Sequence, residues 1–324
     1  MVRERDGDGV GTDASVSRVA ARLAAIPAPW LIVCASLLFS TMGVCVKLAS
    51  SEYSAGEIVF YRGLTGAVLM AALARSRGGT VATRVPAMHF WRSLSGVIAL
   101  VLWFYAIGNL PLATAMTLNY MSSVWMALFL LGGAVAMGTS RVDGRLMATV
   151  LVGFAGVALI LRPTIAEQQL WHGLMGLLSG VIAATAYLQV TALGRAGEPE
   201  YRIVFYFSLA GVAAGALLMA ITGAHGHSWR GAGLLLGVGI TATAAQVMLT
   251  RAYATGPTLV NASLQYLGIV FAFVYDVWLF HDPVTPLAVS GMLLIVGAGL
   301  SATLLRSRSA QPAVARLTDP PNTA

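Results

Sequence analysis

The sequence predicts an all-α integral membrane protein, in which ten transmembrane helices form two inverted-topology five-helix repeats around a central cavity. Three observations support this fold class. Apolar residues occupy 57% of the 324 positions and charged residues only 10%, whereas a soluble domain carries about 25% charge. Ten apolar segments are long enough to cross a bilayer, and their pattern repeats at an interval of 144 to 146 residues.

Each of the ten segments meets the requirement for a membrane span, which is roughly 20 mostly apolar residues for a bilayer core of about 30 Å. The loops between them are short and contain Gly, Pro, Asn or Asp, so no loop forms a separate domain. The polar termini, 1–29 and 306–324, are expected to be disordered cytoplasmic tails. In chain order, the predicted spans are Trp30–Ser50, Ser54–Arg75, Met88–Asn109, Leu112–Met137, Gly144–Leu161, His172–Leu193, Tyr201–Thr222, Gly231–Arg251, Pro257–Phe280 and Val284–Leu305.

The first apolar segment is also the place where a cleaved signal peptide would lie. It is longer than the usual apolar region of a signal peptide, and no clear small-x-small cleavage site follows it. Its removal would also break the repeat described below. We therefore count Trp30–Ser50 as a true span.

The arginines predict the orientation, because the cytoplasmic loops of membrane proteins carry an excess of Lys and Arg. With a cytoplasmic N-terminus, sixteen arginines, Arg92 among them, fall on the cytoplasmic side, and only Arg162 and Arg230 fall outside. Both termini are then cytoplasmic. The same bias explains the net charge of +7 without nucleic acid, for which the sequence has no binding signature.

Two stretches of the sequence carry the clearest internal repeat. Pro111 is followed by Leu118-Asn119-Tyr120, and Pro257 is followed by Leu264-Gln265-Tyr266, so that the same pattern recurs 146 residues later. The tetrapeptide Ile-Val-Phe-Tyr likewise occurs at 58–61 and again at 203–206. Matches in the same order at nearly one interval indicate that the chain consists of two similar halves.

An odd number of spans in each half places the second half in the membrane with the opposite orientation. The predicted repeats, 30–163 and 172–305, each contain five spans. Many secondary transporters have this inverted symmetry. Two similar halves of opposite sense can exchange conformations and so open one central cavity to each side in turn. The repeat therefore favours transport over the functions of a receptor or a scaffold.

Four motifs of the sequence are typical of one known protein family. They are Lys47, Phe60-Tyr61-Arg62-Gly63, Leu110-Pro111-Leu112-Ala113 and the glycine-containing segment from Gly153 to Pro163. In these motifs the chain resembles the drug/metabolite transporter superfamily, specifically its ten-helix EamA-type bacterial members. The resemblance extends from about Trp30 to Leu305. The chain differs from the family at the usual Leu-Gly-Glu turns after the fourth and ninth helices, where it has Leu131-Gly132-Gly133 and His281-Asp282. The resemblance implies export of amino acids and related small metabolites, sometimes drugs, across a bacterial inner membrane.

Two pairs of polar residues are the main candidates for substrate binding. Asn119 with Tyr120, and Gln265 with Tyr266, lie eight to nine residues into their spans from opposite sides of the membrane. Both pairs therefore approach the midplane, where inverted-repeat transporters bind their cargo. An amide and a phenol can bind a polar metabolite through hydrogen bonds. The alternative is that they form interhelical hydrogen bonds, which are worth on average about 0.6 kcal/mol.

Arg62 is a charge within a span, which costs about 2.5–3.5 kcal/mol at a helix centre. It lies about eight residues, or roughly 12 Å, from the outer end of the second span, at the limit of what a long side chain reaches by snorkelling. It either holds a substrate carboxylate in the central cavity, snorkels outward or forms a structural pair. Further candidates for the cavity wall or for substrate hydrogen bonds are Trp103, Tyr105, Trp125, Gln189 and Gln246.

Three charged residues near the outer ends of spans are candidates for a gate or for ion coupling. Lys47 lies about three residues from an outer end, where it can snorkel, pair with Glu52 or Glu57, or contact the substrate. Glu57 and Asp276 also lie near outer ends. For both carboxylates, a role in a gate or a helix interface ranks above proton coupling.

Enzyme signatures are missing from the sequence, which has no P-loop, no His-Glu-x-x-His, no Gly-x-Ser-x-Gly and no Rossmann fingerprint in context. An enzyme, a cofactor, a metal site and ATP-driven transport are therefore not expected. The predicted function is a secondary transporter whose partners are the lipid bilayer and a small organic substrate. Export of amino acids is the leading hypothesis. Transport of a vitamin, a nucleoside-like compound or a drug, in either direction, is the alternative, and a membrane-embedded enzyme or sensor is a remote one.

Overall fold

The computed structural model describes residues 26–138 and 167–281, most of 285–304, and separate positions between 145 and 159. Every regular element in these ranges is helical. In chain order the helices are α1 (Ala28–Ala49), α2 (Ala55–Ser76), α3 (Pro86–Asn109), α4 (Leu112–Tyr120), α5 (Ser122–Ala136), α6 (Glu167–Arg195), α7 (Glu200–Thr222), α8 (Trp229–Thr255), α9 (Thr258–Leu264), α10 (Leu267–Tyr275) and α11 (Val289–Ala298), with a π-helical turn at Asp276–Phe280 after α10.

Eight helical units in the described ranges are long and apolar enough to cross a membrane. Six of them are single helices, α1, α2, α3, α6, α7 and α8. The other two combine consecutive helices, Leu112–Gly133 from α4 and α5, and Val260–Phe280 from α9, α10 and the π-helical turn. These eight correspond to eight of the ten predicted spans. Only separate positions of the predicted fifth span are described, whereas most of the predicted tenth span is described and contains α11.

The sides of the bundle are apolar, as a lipid-facing surface requires. Val68, Leu217 and Trp278 are 59%, 65% and 77% exposed. Exposed apolar surface of this extent is unusual in a soluble monomer, whereas lipid tails solvate it. The chain is a multi-pass membrane protein.

Two of the described helices have a side-chain cap at their first turn. At the start of α2, Ser54 and Glu57 form a capping box, in which each side chain accepts a hydrogen bond from the other residue's backbone N–H. Ser228 accepts a hydrogen bond from the backbone N–H of Gly231 at the start of α8, at 2.9 Å. Helix α1 begins at Ala28, two residues before the start of the predicted first span.

Helices pack in three main pairs across the bundle, α1 with α8, α3 with α6, and α2 with α7. Glycine allows the closest approach between α2 and α7. A Cβ atom on Gly63 would lie 2.7 Å from the carbonyl oxygen of Ser208, and one on Gly215 would lie 2.6 Å from the Cα of Phe60. Small residues at such crossings bring helix backbones close together in membrane proteins.

The fourth and ninth predicted spans are not continuous helices, contrary to the sequence-based expectation. The helix of the fourth is interrupted at Met121 and that of the ninth at Gln265 and Tyr266. Breaks at membrane depth persist only where the freed backbone groups find partners within the protein. One such group is the carbonyl of Ala262, which accepts a hydrogen bond from the hydroxyl of Ser123 at 2.9 Å.

The two breaks lie against each other. The ring of Tyr120, at the first break, packs against Gly268, just after the second, and a Cβ atom on Gly268 would lie 2.6 Å from the Tyr120 hydroxyl oxygen. The hydroxyl of Ser40 in α1 donates to the carbonyl of Gly268 at 2.9 Å. Glycine at position 268 thus makes room for an aromatic ring between the broken spans.

Candidate functional site

A narrow cavity of about 50 Å³ lies inside the bundle, among α1, α2, α3, α4, α6, α7 and α8. A water molecule occupies roughly 10–15 Å³ of such a cavity, so a space of about 50 Å³ holds a few waters and no metabolite. The lining residues are Phe39, Arg62, Arg92, Gly96, Ala99, Leu100, Trp103, Asn119, Tyr120, Ala183, Ala186, Tyr187, Phe207 and Gln246. They come from both predicted halves of the chain.

Two arginines dominate the charge of this cavity. Arg62 in α2 and Arg92 in α3 are 3% and 2% exposed. Their guanidinium carbons lie 4.9 and 4.3 Å from the ring centroid of Phe207 in α7. Within the described residues, no carboxylate oxygen lies within 4.0 Å of either guanidinium, and the lining contains no Asp or Glu. The cavity therefore carries two positive charges that acidic residues do not balance.

Arg92 is the residue that sequence reasoning missed. It was counted among the cations on the cytoplasmic side, whereas the structure places it in α3, buried against Phe207. Gly96, one turn later, makes this possible, because a Cβ atom there would overlap Nη1 of Arg92. The available signal was that Arg92 lies inside a predicted span, as Arg62 does, and an intramembrane charge is a functional candidate by default.

Several polar atoms in the cavity wall are buried without a hydrogen-bond partner in the described part of the chain. They are Nε of Arg62, Nε and Nη1 of Arg92, Nε1 of Trp103 and the hydroxyl of Tyr120. Four of the five are N–H donors, and a hydroxyl can also donate. A buried donor with no partner costs about 1–3 kcal/mol. This set of donors fits a ligand that is rich in acceptor oxygens.

The two amides of the wall already have hydrogen-bond partners. Asn119 donates through Nδ2 to the hydroxyl of Ser179 in α6 at 3.0 Å. Gln246 in α8 donates through Nε2 to the hydroxyl of Thr250 at 3.5 Å, at the long limit for a hydrogen bond. Both amides line the cavity, so each can also contribute its carbonyl oxygen to the wall.

Gln265 and Tyr266 do not join Asn119 and Tyr120 at the cavity wall, although the repeat predicts that they should. Gln265 donates through Nε2 to the hydroxyl of Tyr253 at 3.0 Å. The Tyr253 ring in turn stacks on that of Tyr187, with centroids 5.5 Å apart and planes 3° apart. Gln265 therefore reaches the cavity only through two tyrosines, and Tyr266 is buried nearby at 2% exposure.

Three other predicted residues also lie away from the cavity, and the first of them, Trp125, stacks on the ring of Phe129 with centroids 6.4 Å apart. The ring of Tyr105 packs against that of His172, with centroids 5.3 Å apart. Gln189 accepts a hydrogen bond from the hydroxyl of Ser95 at 2.9 Å, which links α6 to α3. None of these three side chains is among those that line the cavity.

Lys47 and Asp276 form an ion pair at one end of the bundle, with Nζ and Oδ1 3.8 Å apart. Lys47 also lies 4.3 Å from the ring centroid of Phe280. The carboxylate of Asp276 accepts hydrogen bonds from the backbone N–H groups of Leu112 and Ala113, at 3.0 and 2.6 Å. Asp276 thereby holds the N-terminus of α4, where a negative charge is favourable.

Pairing with Glu52 or Glu57 was one of the alternatives for Lys47, and the structure shows other contacts for both carboxylates. Glu52 instead accepts a hydrogen bond from the hydroxyl of Ser228 at 2.8 Å. Glu57 is fully buried and accepts hydrogen bonds from Ser54 and from His225. The chain between α7 and α8 folds over the start of α2 and so supplies closer partners to both carboxylates.

A second charged cluster lies at the other end of the bundle, where sequence reasoning identified no candidate. The carboxylate of Glu198, between α6 and α7, lies 3.0 Å from Nε2 of His89 and 3.1 Å from Nη1 of Arg202, and accepts a hydrogen bond from the hydroxyl of Thr83 at 3.1 Å. Burial raises the pKa of Glu198, but the hydrogen bonds from these three groups outweigh burial and hold the pKa below its usual value of 4.5.

Comparison with known proteins identifies relatives along most of the chain. Residues 26–162 match the EamA-like transporter family. The pseudopaline exporter CntI of Pseudomonas aeruginosa (strain UCBPP-PA14) is 35% identical over 269 residues, which cover 83% of this chain and 93% of the relative. An uncharacterized transporter of Helicobacter pylori (strain J99) is 25% identical over 284 residues, covering 83% and 92% of the two chains.

Among solved proteins, a crystal structure with a similar fold illustrates the architecture. It superposes with a TM-score of 0.64 and covers 88% of this chain and 99% of its own, at 20% sequence identity. At this identity the similarity concerns the fold alone.

Proposed function

This chain belongs to the EamA-like transporter family, and we propose that it is a secondary transporter that exports a small carboxylate-bearing metabolite, such as an amino acid or a related compound, across a bacterial inner membrane. One observation carries the proposal, which is that Arg62 is buried in a central cavity with no acidic partner among the described residues. A buried guanidinium can hold a carboxylate through two parallel hydrogen bonds.

The relatives support export as the direction. The Pseudomonas aeruginosa relative is named an exporter, and it aligns with 83% of this chain at 35% identity. The alignment covers 93% of the relative, so the two proteins correspond over nearly the whole transport unit.

The helix pairing supports alternating access between two inverted halves. If the first and sixth predicted spans are equivalent, and likewise the third and eighth, the pair α1–α8 becomes the pair α6–α3 when the halves are exchanged. Both pairs are present. The second and seventh spans are then equivalent to each other, and α2 packs on α7.

Contacts between matching positions strengthen this argument. Arg62 and Phe207 are 145 residues apart, as are Gly63 and Ser208. In both cases the two matching residues touch each other, Arg62 on the Phe207 ring and Gly63 on the Ser208 carbonyl. Matching residues meet in this way near a pseudo-two-fold axis, so these contacts support the proposed inverted repeat and a position of the arginine close to its axis.

The small size of the cavity is consistent with a state closed at both ends. At one end, Lys47–Asp276 and Glu57–His225 join distant parts of the chain, and at the other end Glu198 joins α3 to α7. A metabolite can enter only when one of these ends opens, so each set of contacts acts as a gate in the proposed cycle.

Transport by the purified protein in liposomes tests this proposal. Vesicles are loaded with radiolabelled amino acids or other carboxylates, and efflux is measured for the wild type, Arg62→Gln and Arg75→Gln. Arg75 is an exposed arginine at the end of the same helix, so it provides a matched loss of charge. We expect efflux with the wild type and Arg75→Gln and little with Arg62→Gln. Equal efflux by all three proteins would show that Arg62 does not bind the cargo, and would contradict the proposal.

A further inference from the structure

We infer that the cargo of this transporter carries at least two carboxylates, one held by Arg62 and the other by Arg92. The inference rests on the proposed function and narrows its substrate class. It comes from the second arginine, which doubles the charge that a ligand in the cavity must balance.

Charge balance is the first argument. Arg62 and Arg92 are buried on a common aromatic ring, and the lining of the cavity contributes no carboxylate. Two like charges in a medium of low dielectric repel each other and lose their hydration. A ligand with a single carboxylate balances one of them and leaves the other unpaired.

A neutral amino acid fits this site poorly for the same reason. Its carboxylate and its ammonium cancel, so binding leaves the net charge of the cavity unchanged, and the ammonium adds a third cation to it. An acidic cargo with two carboxylates neutralises both guanidiniums. The site therefore discriminates against neutral amino acids by charge, in addition to shape.

Geometry is the second argument. Both guanidinium carbons lie within 5 Å of the Phe207 ring centroid, at 4.9 and 4.3 Å, so one small molecule can reach both. Nε1 of Trp103 and the hydroxyl of Tyr120 are buried in the same wall without partners among the described residues. They supply further donors for a pair of carboxylates, since each carboxylate has about four acceptor positions.

Matched pairs of small acids test the inference directly. Binding of succinate and succinamate, and of L-glutamate and L-glutamine, is measured by calorimetry on the purified full-length protein. In each pair one carboxylate is replaced by an amide of nearly the same shape. We expect the diacid to bind about tenfold more tightly or better, which is the lower range for the loss of a charge-assisted hydrogen bond.

Variants identify the residue responsible for this preference. Arg92→Gln is expected to remove the preference for the diacid, whereas Arg75→Gln is expected to retain it. Gly96→Ala provides a second test that keeps both charges, because its Cβ atom would displace the guanidinium of Arg92. It should weaken binding of the diacid even if Arg92→Gln fails to fold.

The outcomes separate this inference from the proposed function. Succinamate or L-glutamine that binds the wild type as tightly as the matching diacid would overturn the inference, and so would failure of both diacids to bind. If the wild type transports L-glutamine but not L-glutamate, the inference fails and the transporter function stands. If no compound in the liposome assay moves while the diacids bind preferentially, the proposed function fails and the charge preference of the site stands.

Discussion

The carboxylate of Glu57 contacts His225, 168 residues further along the chain, at two atoms. It accepts a hydrogen bond from the backbone N–H of His225 at 2.7 Å and lies 2.6 Å from Nδ1 of the His225 ring. An equivalent link of opposite charge occurs at the other end of the bundle, where Arg202 donates to the backbone carbonyl of Thr80 at 2.9 and 3.2 Å. Arg202 follows Glu57 by 145 residues, and His225 follows Thr80 by 145. At each end, a helix start in one predicted half therefore holds a loop of the other.

Replacement of Glu57 by Ala should loosen one end of the bundle. The change removes the acceptor for His225 and half of the capping box with Ser54, and we expect a loss of about 1–3 kcal/mol in stability. Hydrogen exchange of residues 223–228 should rise. Glu52→Ala is the matched control, since Glu52 contacts the exposed end of this loop through Ser228. Equal exchange in the two variants would contradict a specific role for Glu57.

The cluster around Glu198 predicts a pH-dependent stability. Its pKa is lower in the folded protein than its usual value of 4.5, so the ionised carboxylate stabilises the fold above that value. The stabilisation is lost as the pH falls through the lower pKa of the folded state. We expect the melting temperature of the wild type to exceed that of Glu198→Gln at neutral pH, with the difference shrinking below about pH 4.5.

The control for this measurement is Glu200→Gln, because Glu200 forms longer contacts with Arg77 and Arg251, at 3.3 and 4.0 Å. It should show a smaller difference from the wild type at neutral pH. A difference between the wild type and Glu198→Gln that stays constant from pH 7 to about pH 3 would exclude the carboxylate as its source.

Lys47 and Asp276 should be energetically coupled. Loss of Lys47 removes a cation beside the carboxylate, whereas Asp276→Asn places an NH2 group, which cannot accept a hydrogen bond, opposite one of the two backbone N–H donors of α4. In a double-mutant cycle with Lys47→Met and Asp276→Asn, residues in contact show coupling of about 0.5–3 kcal/mol. Additive effects on unfolding would show that the 3.8 Å pair contributes nothing.

How far the sequence predicts the molecule depends on the kind of interaction. Spans are predicted well because hydropathy acts residue by residue, and eight of them are present in the described part. The breaks at Met121 and Gln265 were not foreseen, since neither contains Pro or Gly. They depend on tertiary contacts, such as that of Ser123 with the Ala262 carbonyl, which have no signature in local sequence.

The candidate site shows the same limit. Arg62 was singled out by its depth in a span, and it lines the cavity. Arg92 lies nearer a helix end, where a long side chain usually extends toward the interface, and only the space left by Gly96 and the ring of Phe207 shows that it turns inward. The repeat predicted equivalent roles for Gln265 and Asn119. In the structure the amide of Gln265 instead donates a hydrogen bond to the hydroxyl of Tyr253.

Gly96 offers a test of how Arg92 is positioned. A Cβ atom there would overlap Nη1 of Arg92 and lie 2.9 Å from the Phe207 ring, so Gly96→Ala should weaken binding of succinate about tenfold, because one charge-assisted hydrogen-bond pair is disturbed. Gly233→Ala in α8 is the control, since its Cβ atom meets nothing within 4 Å. Unchanged affinity in Gly96→Ala would show that Arg92 does not contact the ligand.

Asn119 and Gln265 occupy matching positions of the repeat, yet the structure predicts different defects for their alanine variants. Asn119 lines the cavity beside Tyr120, so Asn119→Ala should lower transport more than stability. Gln265 supports the Tyr253 hydroxyl at 3.0 Å, and its loss leaves that buried group without its donor, at a cost of about 1–3 kcal/mol. Gln265→Ala should therefore lower the melting temperature more, while the folded fraction retains transport.

The comparison requires both quantities for each variant, namely initial efflux rate per folded molecule and melting temperature. The sequence alone predicts loss of transport in both variants, because it treats the two amides as one symmetric site. If Gln265→Ala abolishes efflux at full stability, the symmetric site is supported. Gln265 would then act on the cargo, either by contact or through the stacked rings of Tyr253 and Tyr187. If efflux is normal in Asn119→Ala, the amide serves only to hold Ser179 in α6, and the cavity arginines bind the cargo without it.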